Sequence, residues 1–255
     1  MTKYTCKSTV AVFCIIAIIC FTSCEKKETQ DNSRNKKVKQ VTYVVQDMQY
    51  LYNYIWDGDL LSKVEVTYSQ ADNPNENYPY MSFAFSYNNK RLSTMSMELG
   101  GEIMECTYTW VDDKECIENV SFMEEFPIRY FYNDDNKVSK MYFNGREGAY
   151  VVIPEWEGDN FVRVTSAGEL AQSYRYDNGN NPFYGVQCGV LFNNMIAPMA
   201  MIWSANNMTE MISYYGSEET QEIETFKNTY DAEGYLISKV QTGGVSATTY
   251  YTYYE

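Results

Sequence analysis

Residues 132–143 read YNDDNKVSKMYF. An aromatic residue is followed by a short run of Asn and Asp, then by apolar, Ser, Lys, apolar. The same phrase recurs along the chain. Its core stands at Leu61-Ser62-Lys63-Val64, Leu92-Ser93-Thr94-Met95, Val138-Ser139-Lys140-Met141 and Ile237-Ser238-Lys239-Val240. Looser copies are Ile117-Glu118-Asn119-Val120 and Phe161-Val162-Arg163-Val164. Five to seven residues ahead of each core stands an aromatic: Trp56, Tyr87, Trp110, Tyr132, Trp156 or Tyr230. A seventh unit begins at Tyr176 with DNGNN and then diverges. From Val64 the closing apolar residues recur at intervals of 31, 25, 21 and 23, the spacing of stacked supersecondary units.

Each unit reads as a β-hairpin. Phe83, Phe85 and Tyr87 alternate with small or polar residues, as do Cys106, Tyr108 and Trp110, and Ile128, Tyr130 and Tyr132 keep the same spacing. Period-two alternation places such side chains on one face of a strand. Asn, Asp and Gly between the strands tolerate positive φ, which tight hairpins need. The two apolar residues of the core are three apart, so a regular strand would send them to opposite faces. The pattern predicts a β-bulge there, which returns both to one face.

Tyr230-Asp231-Ala232-Glu233-Gly234 resembles the tyrosine–aspartate pattern of YD repeats, the hairpin units of RHS proteins. Together with the leader and Asn181-Pro182-Phe183, the chain is similar to an uncharacterised Bacteroides-type lipoprotein family with YD-like hairpins. The resemblance implies an all-β fold and a place in the envelope. With about seven irregular units the chain falls short of the closed shell that RHS proteins build. The expectation is an antiparallel meander of about 12–14 strands, a curled open sheet or a sandwich, over residues 41–255 as a single domain. One short helical insert is expected near 189–203, where Phe192, Met195, Ile196 and Met199 follow helical spacing, with a strand near Met208 to Tyr215 after it.

The N-terminus is an address. Lys3 and Lys7 precede the apolar run VAVFCIIAIICF, residues 10–21, which suits a signal-peptide core and is short for a spanning helix. Thr22-Ser23-Cys24 follows, then EKKE. Small residues before a cysteine resemble the bacterial lipobox, so residues 1–23 are expected to be cleaved and Cys24 to carry lipid. Secretion with cleavage near Ser23 is the alternative. Residues 24–40 hold six cations, three acids and a single aliphatic residue, Val38. They read as a flexible tether with a reach on the order of 20–25 Å. The expected location is the outer membrane, lipid-anchored, with periplasmic and surface display both open.

Residues 41–255 hold 12 cations against 31 acids, a formal charge of −19. Nucleic acid, whose phosphates require cationic contacts, is excluded as a partner. The chain has no histidine. That removes Ser-His-Asp and Cys-His nucleophile systems and every His-ligated metal site. No phosphate or dinucleotide fingerprint is present; Gly100-Gly101 and Gly243-Gly244 read as hairpin turns. No metal, cofactor or catalytic residue is expected. Carboxylate-only glycoside hydrolysis stays open as the alternative, with Glu124-Glu125 and the Glu155/Glu157 pair around Trp156 as its carboxylates.

Cys106, Cys116 and Cys188 are the body's cysteines. The first two flank a hairpin turn and could bridge, yet they lie at apolar slots, which favours buried free thiols. The body also holds 24 of the chain's 25 tyrosines. In clusters such as Tyr250-Tyr251-Thr252-Tyr253-Tyr254 neighbouring rings must fall on opposite faces. The function expected is non-catalytic: exposed aromatic platforms suit a glycan or an envelope protein partner.

Overall fold

The computed structural model describes residues 36–70, 72–121, 127–143, 150–185, 204–215 and 217–255. Sixteen antiparallel strands form one closed barrel. They are β1 (Val38–Val45), β2 (Met48–Asp57), β3 (Leu60–Gln70), β4 (Tyr78–Asn88), β5 (Arg91–Leu99), β6 (Glu102–Trp110), β7 (Glu115–Val120) and β8 (Ile128–Tyr132). The second half comprises β9 (Val138–Phe143), β10 (Val151–Glu157), β11 (Asn160–Ser166), β12 (Glu169–Asn180), β13 (Asn206–Tyr215), β14 (Ser217–Tyr230), β15 (Leu236–Thr242) and β16 (Ala247–Tyr253). Each strand pairs with its neighbours in sequence, and β16 pairs with β1. The expected open sheet or sandwich of 12–14 strands is therefore corrected. The expected strand near Met208 is β13, whereas the expected helix near 189–203 lies outside the described residues.

The repeated phrase is explained by its geometry. In β2–β3, Trp56 pairs with Leu61 and Ile55 with Lys63, so Ser62 is the extra residue of a bulge. Leu61 and Val64 both end up buried, at 1% and 0% exposure. The bulge recurs at Tyr87, Tyr132, Trp156, Tyr176 and Tyr230. A bulge leaves carbonyls without a ladder partner, and buried polar groups need one. The phrase supplies two. The serine hydroxyl donates across the hairpin: Ser62 to Ile55 O at 2.9 Å, Ser93 to Ser86 O at 3.0 Å, Ser139 to Phe131 O at 3.1 Å. The aromatic of the next hairpin caps the first apolar residue. Tyr87 Oη donates to Leu61 O at 2.8 Å, Trp110 Nε1 to Leu92 O at 3.2 Å and Trp156 Nε1 to Val138 O at 2.8 Å. Tyr176 does the same to Phe161 O, and Tyr253 to Leu236 O at 2.7 Å. At these five junctions a ring or indole thus locks a hairpin to the one before it.

Closure follows the same rule. Val38 pairs with Tyr253 and Gln40 with Thr252, leaving Lys39 as the extra residue. Trp56 Nε1 caps Val38 O at 2.8 Å. Val38-Lys39-Gln40-Val41 is thus another copy of the core, and Tyr253 is its aromatic. The eighth hairpin is assembled from the two ends of the described chain. Its β1 half lies partly in the stretch read as tether: β1 begins at Val38.

The inward side chains form one apolar core, in which Phe83, Met95, Met97, Cys106, Tyr130, Met141 and Phe161 are fully buried. Cys106 and Cys116 are buried free thiols, and burial raises both thiols well above the ordinary range. The outer wall is charged. Lys63, Glu65, Glu105, Lys140, Arg163 and Lys227 alternate with core residues along their strands. This is the inverse of a lipid-spanning barrel, whose outward face is an apolar band about 25 Å tall around a polar interior.

Candidate functional site: the tyrosine-lined mouth

The barrel's two ends differ in chemistry. One end gathers the repeat turns and the Val38 start of β1. Here a cation of one hairpin reaches an aspartate in the next turn: Lys37–Asp59 at 2.9 Å, Arg91–Asp113 at 2.6 Å, Lys137–Asp159 at 2.9 Å, and Lys114–Asp134. Arg91 also covers the Trp110 ring at 4.7 Å. Polar turn side chains fix the loops. Asn133 Oδ1 accepts from the amides of Asp135 and Lys137, and Asp231 Oδ1 from those of Glu233 and Tyr235. Phe183 packs against Tyr54 and Tyr251, with ring centroids 5.3 and 6.3 Å away. It comes from the segment after β12 and is held by an Asx turn, in which Phe183 N donates to Asn181 Oδ1 at 3.0 Å. Phe183 thereby bridges from β12 to β2 and β16.

The opposite end is lined by tyrosines. Tyr43, Tyr50 and Tyr68 take the inward positions at the ends of β1, β2 and β3, and Tyr78 and Tyr80 start β4. Register sets them side by side: Tyr43 pairs with Tyr50, Tyr50 with Tyr68, and Tyr68 with Tyr78. Ring centroids step from Tyr43 to Tyr50 at 6.4 Å, Tyr50 to Tyr80 at 5.6 Å, Tyr80 to Tyr68 at 5.9 Å and Tyr68 to Tyr78 at 5.6 Å. The tilted and edge-on geometries are those aromatic pairs favour. Tyr78 and Tyr80 remain 45% and 39% exposed. The row therefore runs from the core out into water.

From β14, Glu224 acts on Tyr43. Glu224 pairs with Met211, on the inward face. Its Oε2 accepts from Gln241 Nε2 at 2.5 Å, and Glu222 Oε2 accepts from Tyr215 Oη at 3.2 Å. A Cβ added to Gly244 would lie 3.2 Å from Glu222 Oε1 and 3.7 Å from Glu224 Oε1, so both carboxylates converge on that glycine. Burial, then the Glu222 charge, pushes the Glu224 carboxyl above its ordinary value. Burial, then the Glu224 charge, raises the Tyr43 phenol. Gly243 fixes the turn between them: its φ is +85°, and a Cβ would lie 2.3 Å from Ile223 O. Among the described residues neither carboxylate has a cationic partner within 4.0 Å, and no group of three or more Cys, Asp or Glu is placed to hold a metal.

Two ionisable residues occupy core slots deeper in the barrel. Glu118 is fully buried, and its carboxylate accepts from Tyr108 Oη at 2.9 Å and from Tyr130 Oη at 2.5 Å. The β6–β7 hairpin lacks the bulge, so plain alternation brings Cys116, Glu118 and Val120 inward. Lys239 is 3% exposed. Its copy of the core runs in the frame Leu236-Ile237-Ser238-Lys239, one residue ahead of the frame read from sequence, because Leu236 pairs with Tyr230 and Ser238 with Thr229. Lys239 thus takes the place of Val64, Met95 and Met141. Its ammonium lies over the Phe226 ring at 5.6 Å, and burial, partly offset by the Asp177 charge, lowers its pKa to about 8. Asp177 is itself occupied by Gly179 N at 2.9 Å, Asn228 Nδ2 at 2.8 Å and Tyr230 Oη at 2.5 Å.

Of the residues singled out in the sequence, Cys24 and the Glu124-Glu125 pair lie outside the described residues. Glu155 lies on the outer face opposite Arg163, at 4.0 Å, and Glu157 is exposed at the stapled end, so this pair forms no joint site. The tyrosine clusters divide as alternation requires: Tyr251 is 8% and Tyr250 50% exposed. Tyr50 reaches the mouth, whereas Tyr52 and Tyr54 are core. Sequence reasoning missed Glu222, Glu224 and the inward row across four strands. The register of Tyr43 against Tyr50 across the tight Gln46-Asp47 turn was the available signal.

No protein-family model matches the chain, and no curated protein matches it. Solved structures do. A porin-like protein from Bacteroides uniformis superposes with a TM-score of 0.55 at 12% identity, covering 86% of this chain and 99% of that one. This barrel shares that fold. A porin-like protein from Bacteroides vulgatus aligns at a TM-score of 0.42 and 10% identity over 86% of this chain and 99% of that one.

Proposed function

We propose that the chain is a lipid-anchored protein of the bacterial outer membrane whose barrel stands in water beside the bilayer and binds carbohydrate at its tyrosine-lined mouth. The exposed tyrosine row carries the reading. Flat rings rising from a rigid wall offer stacking surfaces for sugar rings at little entropic cost, and Gln241, Glu224 and Glu222 offer hydrogen-bond acceptors and donors opposite. The charged outer wall supports a barrel outside the hydrocarbon layer, since a lipid-facing charge near the midplane costs about 2–4 kcal/mol. Lipid on Cys24 supplies the membrane contact, consistent with the lipobox-like Thr22-Ser23-Cys24 and the kinship with lipoproteins that the leader and hairpins imply. β1 starts at the stapled end, so such an anchor leaves the mouth pointing away from the membrane.

The test has two arms. A glycan screen with the full chain in detergent should give hits that Tyr78→Ser/Tyr80→Ser removes while the melting temperature stays within a few degrees. Metabolic labelling with a fatty-acid analogue should mark the wild type and spare Cys24→Ser, which should leave the membrane fraction. A screen without hits, or an unlabelled wild type, defeats the corresponding half. Hydrolysis is the second reading, favoured by the convergence of Glu222 and Glu224 on Gly244. Release of reducing ends that Glu224→Gln abolishes would establish it.

A further inference from the structure

We propose that the tyrosine mouth selects glycans whose chain curves, as axial–equatorial linkages make it, over flat ribbon glycans; this rests on the carbohydrate reading and specifies the linkage. The two rings of the row most open to solvent, Tyr78 and Tyr80, decide the shape. Both pack on Tyr68: the Tyr78 plane is 35° from it and the Tyr80 plane 78°. The two exposed planes therefore differ by at least 43°, the difference of those angles. The row behind them turns as well, by 59° from Tyr80 to Tyr50 and by 40° from Tyr50 to Tyr43. A chain of equatorial–equatorial linkages keeps its sugar rings near one plane, and coplanar platforms would match it. An axial bond at each linkage bends the chain, so successive sugar rings turn against each other as these tyrosines do.

The inclination is built into the backbone. Tyr68 pairs with Tyr78, Thr67 with Pro79 and Val66 with Met81, so Tyr80 is the extra residue of a bulge. In a regular strand, side chains two apart point the same way; the bulge turns one against the other. Pro79 stands between the two rings, where it fixes its own φ and needs no ladder partner for an N–H. The Tyr78 phenol donates to the Glu76 carboxylate, whose Oε2 also accepts from Asn73 Nδ2 at 2.7 Å. Glu76 N donates to Asn73 O at 3.2 Å and closes the turn. The exposed β3–β4 loop thus steadies Tyr78 and carries the amides of Asn73, Asn75 and Asn77 up to it. Amides pair with sugar hydroxyls, while ring faces cover the apolar face of the sugar. A platform fixed in advance loses little entropy on binding, so its shape passes into selectivity.

The experiment titrates the full chain in detergent with three probes built from one sugar, so that only shape and length differ: the linear α-1,4 glucose hexamer, the β-1,4 glucose hexamer, and glucose itself. The α-1,4 hexamer should bind about tenfold or more tighter than either of the others. Tyr78→Ser and Tyr80→Ser should each abolish that preference, because one ring alone sets no angle. Pro79→Ala should narrow it, and the melting temperature of all three variants should stay within a few degrees. Equal binding of the two hexamers overturns the selectivity for a curved chain and leaves the carbohydrate reading standing. Glucose binding as tightly as the α-1,4 hexamer shows a single ring at work and overturns it too. A preference that survives either serine variant overturns the assignment to this pair of rings. No binding of any of the three overturns this inference, and the carbohydrate reading falls with it only if the wider glycan screen is empty as well.

Discussion

The stapled end and the tyrosine end are built from the same sixteen strands, yet they spend their side chains differently. At the stapled end every device holds the ring of hairpins: bulge serines tie the two strands of one hairpin, and capping indoles and phenols and turn ion pairs reach the neighbouring one. At the tyrosine end the rings pack in a row that reaches solvent, and among the described residues Glu222 and Glu224 form no ion pair. One end is committed to holding the ring together. The other retains unsatisfied chemistry, which is what a binding surface requires.

Substitutions at the two ends should therefore separate stability from binding. The largest effect is expected for Trp156→Ala, which removes a core-packed ring and the cap on Val138 O. Urea unfolding should show a loss of about 3–5 kcal/mol, against under about 1 kcal/mol for Tyr80→Ser at the mouth. Equal losses would erase the distinction between the ends.

Lys239→Met gives the next largest effect, with opposite sign. Met95 and Met141 already fill equivalent slots, and replacing a buried cation that has no ion-pair partner among the described residues by a fitting apolar side chain stabilises. The Lys239 pKa falls from 10.5 to about 8 on folding, a difference of about 3 kcal/mol at neutral pH. The sign follows from proton counts: between pH 8 and 10.5 the unfolded chain still holds the proton that the folded chain has released. Wild-type stability should therefore rise through that window relative to Lys239→Met, whose own advantage should shrink to nothing. An advantage that stays constant from pH 7 to 10.5 would sink the prediction.

Ser62→Ala should cost about 1 kcal/mol, because Ile55 O loses the hydroxyl that answers it. Chemical denaturation of Ser62→Ala and of Ser238→Ala, half-buried and outside the serine slot of its hairpin, would show whether the cost belongs to the bulge. The smallest effect is expected for Asp159→Asn. Its pair with Lys137 is half in solvent, and such pairs contribute under about 1 kcal/mol. A larger loss would show that the turn pairs act as a network around the ring.

Much of the hairpin was legible in the residues. The three-residue spacing of Val138 and Met141 required a bulge, and the bulge is there. The last copy was read one residue late because Ile237 and Val240 are more apolar than the pair that faces inward, Leu236 and Lys239. Hydrophobicity decides a frame only where the inward slot is apolar. Met208-Thr209-Glu210-Met211 also carries the bulge but went unread, because a long insertion separates it from Tyr176. The candidate site was legible only as tyrosine-rich segments, since which rings share a mouth depends on the register of four strands.

By itself the sequence determined the repeating unit: aromatic, polar turn, bulge, serine. Those are contacts within one hairpin or between neighbours, so local periodicity and turn chemistry specify them. Only the tertiary structure decided that the row of hairpins closes. Closure pairs Val38–Val45 with Ala247–Tyr253, some two hundred residues apart. It depends on the accumulated twist and stagger of every strand between them, a sum that no single stretch of the chain encodes.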